Sequence, residues 1–508
     1  MSESDVLIVG AGPTGLVLAL WLTKLGIKVR IVDKTAEPGT TSRALAVQAR
    51  TLELYRQLDL ADAVVAKGHR TPAANLWVGG ERKARISLND MGKGLTPYPF
   101  LHIFPQDEHE KLLAAKLDTL GVSVERRTEL VSFTEQANGV VARLRGADGS
   151  ESDHEAIYLA GCDGARSKVR ETIGTGFPGG TYQHLFYVAD VEATGPALDG
   201  ELHIDLDEAD FVAVFPLAGP GRARLIGTVR DERADRAETL TFADVSDHAI
   251  GQMKLAIARV NWFSTYHVHH RVAQHFRKGR AFLIGDAAHI HSPAGGQGMN
   301  TGIGDAINLA WKLAAVVKGR APDLLLDSYE AERIGFAQRL VASTDRAFTF
   351  ATGQGALAAL IRTRLAPIMM PILFSFEVVR RFAFRTVSQT RINYRGCPLS
   401  RGTAGRVQGG DRLPWVAVDG VDNFAPLTSL DWQVHVYGEA SPALAAWCAQ
   451  HKLPLHVFAW RPQYAGAGLA RSALYLLRPD TYVALAEPDG SPDALARYFN
   501  ATKIRPAG

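Results

Sequence analysis

The sequence is poor in cysteine, and this shortage limits the chemistry that it can contain. Three cysteines occur in 508 residues, at Cys162, Cys397 and Cys448, and they are widely separated. They form no CxxC pair and no cluster with metal-ligand spacing. A disulfide framework and a structural zinc site are therefore not expected.

The sequence also lacks an excess of charge and a long hydrophobic run. With 56 basic and 53 acidic residues the formal net charge is +3, so a nucleic-acid partner is not predicted. The most apolar late stretch, residues 365–376, is about half as long as a bilayer span requires and contains two prolines. We predict a helix there that is buried or faces another subunit, and no stable membrane insertion. The N-terminus enters a predicted strand at once, which leaves no room for a signal peptide and predicts a cytoplasmic protein.

What the sequence does contain is a complete βαβ unit at its start. Residues 6–9 predict a strand, residues 16–25 have an apolar helical pattern, and residues 29–32 predict a second strand that ends at Asp33. The first strand and the helix are joined by the turn GAGPTG, residues 10–15. Glycines placed between a strand and a helix in this way are typical of a dinucleotide-binding turn.

Each glycine of this turn has its own physical task. Gly10 lets the chain turn sharply out of the strand, Gly12 leaves room for a pyrophosphate beside the backbone, and Gly15 lets the helix pack closely on the strand. The N–H groups and the dipole at the start of the helix then face the phosphates. Asp33 follows Gly15 by 18 residues, near the distance at which an acidic side chain meets an adenosine ribose. The unit therefore predicts dinucleotide binding.

Two later segments also join a buried strand to a glycine-rich turn. GCDGARSKVR, residues 161–170, places Asp163 after one strand, and GDAAHIHSPAGGQGMN, residues 285–300, places Asp286 after another. Asp286 can accept hydrogen bonds from a polyol chain, and the nearly bare loop after it lets backbone N–H groups meet an anionic ring edge. Either segment alone is equally well explained as an ordinary strand–turn junction. All three segments in this order indicate one nucleotide cofactor site.

The remaining pattern divides the rest of the chain. Residues 186–230 alternate with period two and predict an antiparallel sheet, with a hairpin turn GPG at residues 219–221. A helix is predicted for residues 240–259, and further helices include one at residues 325–350. Past Pro398 the composition changes, and strands alternate with helices in a pattern that predicts a small α/β unit.

These motifs together resemble those of the class A FAD-dependent aromatic hydroxylases, which share the fold of para-hydroxybenzoate hydroxylase. The resemblance covers about residues 1–395 and rests on GAGPTG, the acidic end of the second strand, SRA at 42–44, PQ at 105–106, CDGARSKVR, GDAAH with the loop PAGGQGMN, and SYEAER at 328–333. Residues 397–508 resemble the C-terminal thioredoxin-like domain of the larger members, which act on phenols, hydroxyphenylpropionate, polyketide aromatics or rifamycin-type antibiotics. This part has GDRLPW at 410–415 but no CxxC, so a packing or dimerisation role is expected rather than thiol–disulfide exchange.

The fold class that the resemblance implies is α/β with three domains. A Rossmann-like FAD-binding domain with a helical extension would comprise residues 1–72, 100–180 and 275–395. An inserted antiparallel-sheet domain for the substrate would comprise residues 73–99 and 181–274. A thioredoxin-like α/β domain without CxxC would comprise residues 397–508.

The resemblance also implies cofactor-binding residues, position by position. The ADP half of FAD would be held by Gly10, Gly12, Pro13, Thr14, Gly15, Asp33 and Lys34. The phosphates, the ribitol and the isoalloxazine would be contacted by Arg43, Gln106, Asp286, Pro293, Gly296, Gly298, Met299 and Asn300. Asp163 and Gly164 lie in the motif that serves both FAD and the nicotinamide cofactor, so Arg166 and Arg170 are expected to help NADPH or NADH dock. No second GxGxxG follows, which agrees with a nicotinamide cofactor that binds transiently.

The activity that the resemblance implies is FAD-dependent monooxygenation. NADPH or NADH would reduce the flavin, dioxygen would add to it, and the resulting C4a hydroperoxide would hydroxylate a phenolic or polycyclic aromatic substrate. The same cofactor chemistry could instead perform epoxidation or Baeyer–Villiger insertion, and a flavin-binding protein without turnover is the alternative from another class. A small-molecule aromatic and dioxygen are the expected partners, and the resemblance is compatible with a homodimer.

Substrate contacts are predicted from the antiparallel segment. One face with Tyr187, His203, Phe215 and Arg224 would meet an aromatic acid or a phenol, although plain packing or exposure explains any one of them better. No residue is assigned as a catalytic base.

A run of histidines does not predict a metal site. Of His267, His269 and His270, the first two alone would share a face of a strand, and no carboxylate or third nitrogen is evident beside them. No metal is therefore assigned. His289 in GDAAH is predicted to be structural rather than an acid or base.

Overall fold

Three large sheets organise the residues that the computed structural model describes, which are 3–39, 44–206, 211–229, 240–245, 247–292, 294–352 and 359–506. The first sheet leads into the three glycine-rich segments, the second is mainly antiparallel, and the third lies in the C-terminal part. The predicted mixed α/β fold is confirmed.

The first sheet is built on parallel strands whose carboxyl ends meet at one edge. Its main path runs through Arg277–Lys278, Ala281–Leu283, Glu151–Gly161, Ser4–Val9, Val29–Asp33 and Glu125–Arg126, and Glu129–Gln136 and Gly139–Arg145 extend it. Neighbours on this path are parallel except for the first pair. Val9 lies beside Gly161, and Gly161 lies beside Leu283. The three glycine-rich segments therefore begin at adjacent strand ends.

The helix Pro13–Lys24 is apolar on all sides because the protein encloses it on all sides. Its residues 15–22 are buried, and it packs against the helices Gln106–Asp118 and Gly298–Val317. A helix of this kind belongs in the core of a large domain rather than at its surface. Its position fixes the first glycine turn between the sheet and the loop that precedes Gly298.

The second sheet is antiparallel over most of its width. Its strands lie in the order His289–Ile290, Ala256–Val272, Gly179–Thr194, Arg222–Val229, Val212–Pro216, Leu202–Asp205, Ala73–Val78 and Glu81–Ser87. The strands Leu202–Asp205 and Ala73–Val78 form its parallel pair. The predicted antiparallel sheet and its hairpin at residues 219–221 are confirmed.

The helix predicted for residues 240–259 is wrong over most of its length. The described residues there form a 3₁₀ turn at Phe242–Asp244 and a helix at Asp247–Gln252, and the strand Ala256–Val272 follows. The first residues of that strand pair with the end of Gly179–Thr194, for example Ala256 with Thr194. Pairing with a long neighbouring strand therefore overrides the local apolar pattern.

The third sheet combines a βαβ unit with an antiparallel pair. Its strands lie in the order Val407–Gln408, Arg401–Ala404, Val483–Glu487, Leu474–Leu477, Gln433–Tyr437 and Leu455–Phe458. The last two are parallel and are joined through the helix Pro442–Gln450. Helix Pro462–Ala467 leads to the antiparallel pair, and helix Pro492–Thr502 follows it. The predicted alternation of strands and helices in this part is confirmed.

A cluster of buried charges joins this C-terminal unit to the helices that cover the first sheet. Arg478 Nη1 donates to Glu332 Oε1 at 2.6 Å, and Arg478 Nε donates to Asp480 Oδ1 at 2.9 Å. Lys312 Nζ donates to Glu332 Oε2 at 2.8 Å. All four side chains are at most 2% exposed. We call these four residues the buried ion-pair network.

The stretch predicted to be a buried or subunit-facing helix lies at the surface. A π-helical turn at Ile361–Leu365 leads into the helix Ala366–Ser375, and the helix Glu377–Val387 follows. Both helices expose large apolar side chains, so the prediction of burial within this chain is wrong, whereas contact with another subunit stays a prediction. Among the described residues, every helix is too short or too polar to cross a bilayer.

The remaining elements are mostly short. Further helices are Ala49–Tyr55, Ala61–Lys67 and Lys168–Ile173, together with the long helix Asp327–Thr352, which confirms the helix predicted at residues 325–350. Two-stranded sheets pair His69–Thr71 with Leu101–Ile103 and Ala417–Val418 with Val421–Asp422.

Candidate functional site

The first two glycine-rich segments are in direct contact. Cys162 N donates to Val9 O at 2.7 Å, one residue before Gly10. Gly10 has a φ of +104°, and a Cβ at this position would overlap with Cys162 O. Glycine is therefore required here both for the turn and for the close approach of the two segments.

The third segment reaches the same place. Arg170 Nη1, in the second segment, donates to Ala287 O in the third at 2.9 Å. A Cβ on Gly285 would lie 2.8 Å from Thr14 Oγ1, so the side chain of Thr14 fills the space that this glycine leaves. The structure thus brings all three segments together at the carboxyl edge of the first sheet, where open α/β sheets bind their ligands.

Gly12 differs from its neighbours because the protein itself does not need it to be small. A Cβ on Gly15 would overlap with Gly10 O, whereas a Cβ on Gly12 would come no closer than 4.0 Å to any described atom, in this case Glu110 Oε1. The helix Pro13–Lys24 begins here without a side-chain cap. Uncapped helix N–H groups beside an open glycine fit a phosphate, which they attract through hydrogen bonds and the helix dipole.

Asp33 fixes the glycine turn as well as ending the second strand. Its Oδ2 accepts a hydrogen bond from Ala11 N at 2.6 Å, and its Oδ1 accepts from Thr35 N at 2.7 Å and from Thr35 Oγ1 at 2.6 Å. The Asp33 side chain is 14% exposed, so its carboxylate stays accessible to a ligand at the turn. Lys34, also among the predicted cofactor residues, is exposed.

Gln106 links the turn region to a buried carboxyl group that was not predicted. Its backbone N donates to Ala44 O at 3.0 Å, and its Nε2 donates to Glu110 Oε1 at 2.8 Å. Glu110 Oε2 also accepts from Gly39 N at 2.7 Å. Burial raises the pKa of Glu110, and a more readily neutral carboxyl group repels a nearby phosphate less. The four-residue spacing of Gln106 and Glu110 on one helix was a signal that could have found the pair.

Asp163 supports the start of the helix Lys168–Ile173, whose N-cap is Ser167. Its Oδ1 accepts from Ser167 Oγ at 2.6 Å, and its Oδ2 accepts from Val169 N at 3.1 Å. Burial raises the pKa of Asp163. Gly164 turns the chain at this point with a φ of +76°. Asp163 therefore stabilises the turn of the second segment through hydrogen bonds to residues of the same segment.

The two arginines predicted to help the nicotinamide cofactor dock differ in their surroundings. Arg170 is 8% exposed, donates to Ala165 O at 2.7 Å, and lies with its guanidinium 3.8 Å from the centre of the Phe177 ring. Arg166 is exposed. Arg170 thus ties the second and third segments together, whereas Arg166 faces solvent.

The third segment ends in a loop of nearly bare backbone that Asn300 anchors. Gly296 has a φ of +61°. Asn300 Nδ2 donates to Gly296 O at 2.9 Å and to Ala46 O at 2.8 Å, and Asn300 Oδ1 accepts from Thr51 Oγ1 at 2.7 Å. The side chain of Asn300 is therefore committed to shaping the loop.

The other residues predicted to contact the flavin differ in solvent exposure, and two of them are not described. Asp286 is exposed, and Gly298 and Met299 are partly exposed. Arg43 and Pro293 lie outside the described residues.

His289 and His291, both in the third segment, have different hydrogen-bonding environments. His289 Nε2 bonds to Asp305 Oδ2 at 2.6 Å, and Asp305 Oδ1 accepts from Arg333 Nε at 2.5 Å, which agrees with a structural role for His289. His291 Nδ1 donates to Ser292 O at 2.8 Å, so its Nε2 is an acceptor, and this buried atom has no hydrogen-bond partner among the described residues. Burial lowers the pKa of His291 to about 4, so the ring is neutral at pH 7.

The four predicted substrate residues lie on two opposite faces of the second sheet. Phe215 pairs with Arg224 across neighbouring strands. His203 Nδ1 accepts from Trp77 Nε1 at 2.9 Å on the other face, and Tyr187 packs in the same apolar cluster as Trp77. The prediction of one shared face is therefore wrong, because side chains alternate along each strand.

Arg224 forms an ion pair with Asp190 on the face that approaches the cofactor segments. Its Nε donates to Asp190 Oδ1 at 2.6 Å, its Nη1 donates to Ala44 O at 3.3 Å, and its guanidinium lies 5.8 Å from the centre of the Trp262 ring. Phe215 lies on the same face and packs with Ala46 and Ile226. Ile226 was not predicted, because only strand pairing shows which side chains share this face.

A family model described as an FAD binding domain matches residues 3–344, which is more than half of the chain. This chain belongs to that family. FAD is therefore its cofactor, as predicted.

Several proteins similar to this chain are monooxygenases or hydroxylases. The 6-methylpretetramide 4-monooxygenase of Streptomyces rimosus is 39% identical over 78% of this chain and 71% of its own length. A flavin-dependent monooxygenase of Mycobacteroides abscessus is 33% identical over 96% of this chain and 97% of its own length. The solved structure of the anhydrotetracycline hydroxylase OxyS from Streptomyces rimosus has a TM-score of 0.78 at 29% identity, covering 99% of this chain and 100% of that one. The prediction of an FAD-dependent monooxygenase of the aromatic hydroxylase class is confirmed.

Proposed function

We propose that this enzyme hydroxylates a polycyclic phenolic substrate with FAD, NADPH or NADH, and dioxygen. The observation that supports this most directly is the meeting of three glycine-rich segments at one edge of the first sheet, next to an aromatic face of the second. Relatives that oxygenate 6-methylpretetramide and anhydrotetracycline favour a fused-ring aromatic over a simple phenol.

The residues at the sheet edge fit FAD in three places. Gly12 and the first turn of helix Pro13–Lys24 would bind the pyrophosphate, Asp33 would bind the ribose, and the loop that Asn300 anchors would bind the isoalloxazine. The open space at Gly12 and the buried acceptor His291 Nε2 support such a ligand. When bound, FAD takes hydride from the nicotinamide cofactor and passes one atom of dioxygen to the substrate.

The substrate would lie between this loop and the second sheet. Phe215, Ile226 and Trp262 offer apolar and aromatic surface on that side. Arg224, buried and held by Asp190, is a cation in a fixed position that would orient a phenolic oxygen. The protein would thereby bind the ring, align it and keep water away from the reacting atoms.

The predicted division into three domains belongs to the same proposal. Residues 1–72, 100–180 and 275–395 would bind FAD, and residues 73–99 and 181–274 would bind the substrate. We propose that residues 397–508 form a thioredoxin-like domain, since a parallel βαβ unit is followed there by an antiparallel pair and a helix. We also propose a cytoplasmic location, since the reaction consumes NADPH or NADH as its reductant.

A substrate panel tests the reaction and its outcome together. The FAD-loaded protein is incubated with NADPH or NADH and with phenols, naphthols, polyketide aromatics or rifamycins, and products are analysed by mass spectrometry and NMR. Hydroxylation predicts a gain of one oxygen as a new hydroxyl on an intact ring. An epoxide or an inserted ester oxygen would instead show epoxidation or Baeyer–Villiger chemistry. A protein without turnover would show no substrate-stimulated oxidation of the nicotinamide.

A pair of glycine variants tests the cofactor site separately. Gly12→Val fills the space proposed for the pyrophosphate, so the purified variant should be colourless. Gly466→Val is the control, because a Cβ there also meets open space but lies in the C-terminal unit. A yellow, fully loaded Gly12→Val protein would contradict the proposed pyrophosphate site.

A further inference from the structure

The exposed large apolar side chains are concentrated in one short part of the chain. Of the fourteen such side chains that the described residues expose, ten lie between residues 360 and 387. Ile368 and Ile372 are 64% and 55% exposed, and Val378 and Phe382 are 79% and 57% exposed. A contiguous apolar surface of this kind is typical of an interaction site.

The helices Ala366–Ser375 and Glu377–Val387, which we call the exposed helix pair, each have a packed face and an open face. Met370 and Phe374 of the first helix pack on strands of the second sheet. Phe384 of the second helix is 7% exposed within another apolar cluster. The inner face of the pair thus packs on the protein, and its outer face is held in a fixed position and exposed.

The outer face also has an excess of positive charge. Residues 359–387 contain five arginines and one acidic residue, Glu377. Arg362 is buried and donates to Leu206 O at 3.1 Å, so it does not belong to the outer face. Glu377 Oε1 is already paired with Arg381 Nη1 at 3.0 Å. Arg364 and Arg385 are exposed. Partial desolvation of the Arg385 guanidinium and the positive charge of nearby arginines lower the pKa of Arg385. Positive charge therefore accumulates beside the apolar side chains.

We propose that the exposed helix pair docks on the surface of an anionic lipid bilayer. Helices that lie in the plane of a membrane interface bury their apolar side chains below the headgroups, while their arginines reach the lipid phosphates. The exposed helix pair presents both kinds of side chain on one surface. Its helices have 10 and 11 residues, so they are long enough to lie on a bilayer but too short to cross it.

A second copy of this chain fits the same face less well. A two-fold symmetric dimer would place the face against itself and would bring the arginines of one copy towards those of the other. Glu377 cannot offset this charge, because it is the one acidic residue of the segment and already has a partner. Anionic headgroups supply the missing negative charge directly.

The exposed helix pair also adjoins the loop of the proposed cofactor site and the edge strand of the second sheet. Val387 O accepts a hydrogen bond from Gln297 Nε2 at 2.8 Å, within the glycine-rich loop of the third segment. The first helix packs beside the strand Glu81–Ser87 of the second sheet. Docking would therefore bring the site close to the apolar phase in which polycyclic aromatics dissolve. This benefit rests on the proposed function, whereas the docking itself does not.

Vesicle sedimentation of the full-length, FAD-loaded protein tests the proposal. We expect the protein to sediment with vesicles of phosphatidylglycerol and phosphatidylcholine at low salt, less at high salt, and not with phosphatidylcholine alone. A protein that stays in the supernatant with the anionic vesicles at low salt would overturn the proposal.

Variants of the outer face identify the surface that binds. Ile372→Ser with Phe376→Ser should weaken binding about tenfold or more, and Arg364→Gln with Arg385→Gln should weaken it about fivefold for each arginine. Val457→Ser, which changes an apolar side chain that is 50% exposed in the C-terminal unit, should bind like wild type. Equal binding by all variants would overturn the proposal, and so would a dimer in light scattering that the first variant dissociates. FAD content and nicotinamide oxidation with a soluble substrate should stay at wild-type levels, which separates a failure of docking from a failure of the proposed function.

Discussion

Two regions of this molecule carry positively charged side chains, and they differ in what surrounds the charge. In the buried ion-pair network, Arg478 is 1% exposed and its guanidinium meets the carboxylates of Glu332 and Asp480. In the segment that contains the exposed helix pair, Glu377 is paired with Arg381, and Arg364 and Arg385 are exposed beside apolar side chains. The first cluster is neutralised inside the protein, and the second is open to a partner.

The difference shows that sequence neighbours do not determine whether a charged side chain is buried and paired or exposed. Arg478 is separated from Glu332 by 146 residues, whereas Arg381 meets Glu377 one helical turn away. Burying a charge is costly unless a partner is in place, so the buried network depends on each of its members. An exposed pair contributes little in either direction. The two regions should therefore respond unequally to substitution.

The largest expected effect comes from removing one partner of the buried ion-pair network. Arg478→Met would leave Glu332 and Asp480 buried with too little positive charge, and we expect the free energy of unfolding to fall by about 3–5 kcal/mol. Denaturant unfolding followed by circular dichroism measures this loss. The control is Arg461→Met in the same unit, where Arg461 and Asp419 form an exposed pair and the loss should be below about 1 kcal/mol. Equal losses of unfolding free energy in the two variants would contradict the distinction between buried and exposed ion pairs.

Two phenylalanines on one helix of the exposed helix pair sharpen the comparison. Phe384 is 7% exposed and Phe382 is 57% exposed. Phe384→Ala should lower the free energy of unfolding by about 3 kcal/mol, because it leaves a cavity under the helix. Phe382→Ala should lower it by less than about 1 kcal/mol. If thermal unfolding shows the opposite order, the outer face is packed in solution and the assignment of the two faces is wrong.

How much of the fold the sequence predicted depends on how local the deciding interactions are. The glycine turn at residues 10–15 and the alternation of residues 186–230 were predictable, because spacing along the chain specifies them. The helix predicted at residues 240–259 was wrong over most of its length, since the partner strand Gly179–Thr194 lies far away in sequence. The open face of the exposed helix pair was missed because apolar composition alone does not show which side of a helix finds a partner.

Prediction of the candidate site from the sequence is limited in the same way. That its three segments meet was predictable, because the carboxyl ends of adjacent parallel strands share an edge. That Tyr187 lies on the face opposite to Arg224 was not, because the pairing register of the strands decides the face. The contact of Glu110 with Gly39 joins residues 71 positions apart and likewise depends on the assembled fold.

Acid should weaken the buried ion-pair network, whereas loss of the exposed ion pair of Glu377 and Arg381 should cost little stability. Burial by itself would raise the pKa of Glu332, but the charges of Arg478 and Lys312 outweigh burial and lower it from 4.5 to about 2. Because the folded protein holds this carboxylate at a lower pKa than the unfolded chain does, its contribution to stability is complete above pH 4.5 and is lost as the pH falls towards 2. Glu332→Gln should therefore flatten the fall of unfolding free energy across this window, and Glu377→Gln should not. Denaturant unfolding at several pH values in the window compares the two slopes with that of wild type, and a wild-type slope in Glu332→Gln would refute the assignment.

The smallest expected effect lies where the C-terminal unit reaches the glycine-rich loop. Arg50 Nη2 donates to Asp480 O at 2.9 Å, and the next residue, Thr51, donates from Oγ1 to Asn300 Oδ1 at 2.7 Å. Thr51→Val removes this hydrogen bond with little change of shape, which costs about 1 kcal/mol, so FAD affinity should fall about fivefold. Quenching of flavin fluorescence on titration with the protein measures the affinity. Thr386→Val, on the exposed helix pair, should leave it unchanged. If both variants bind FAD equally well, the hydrogen bond of Thr51 does not position the cofactor loop.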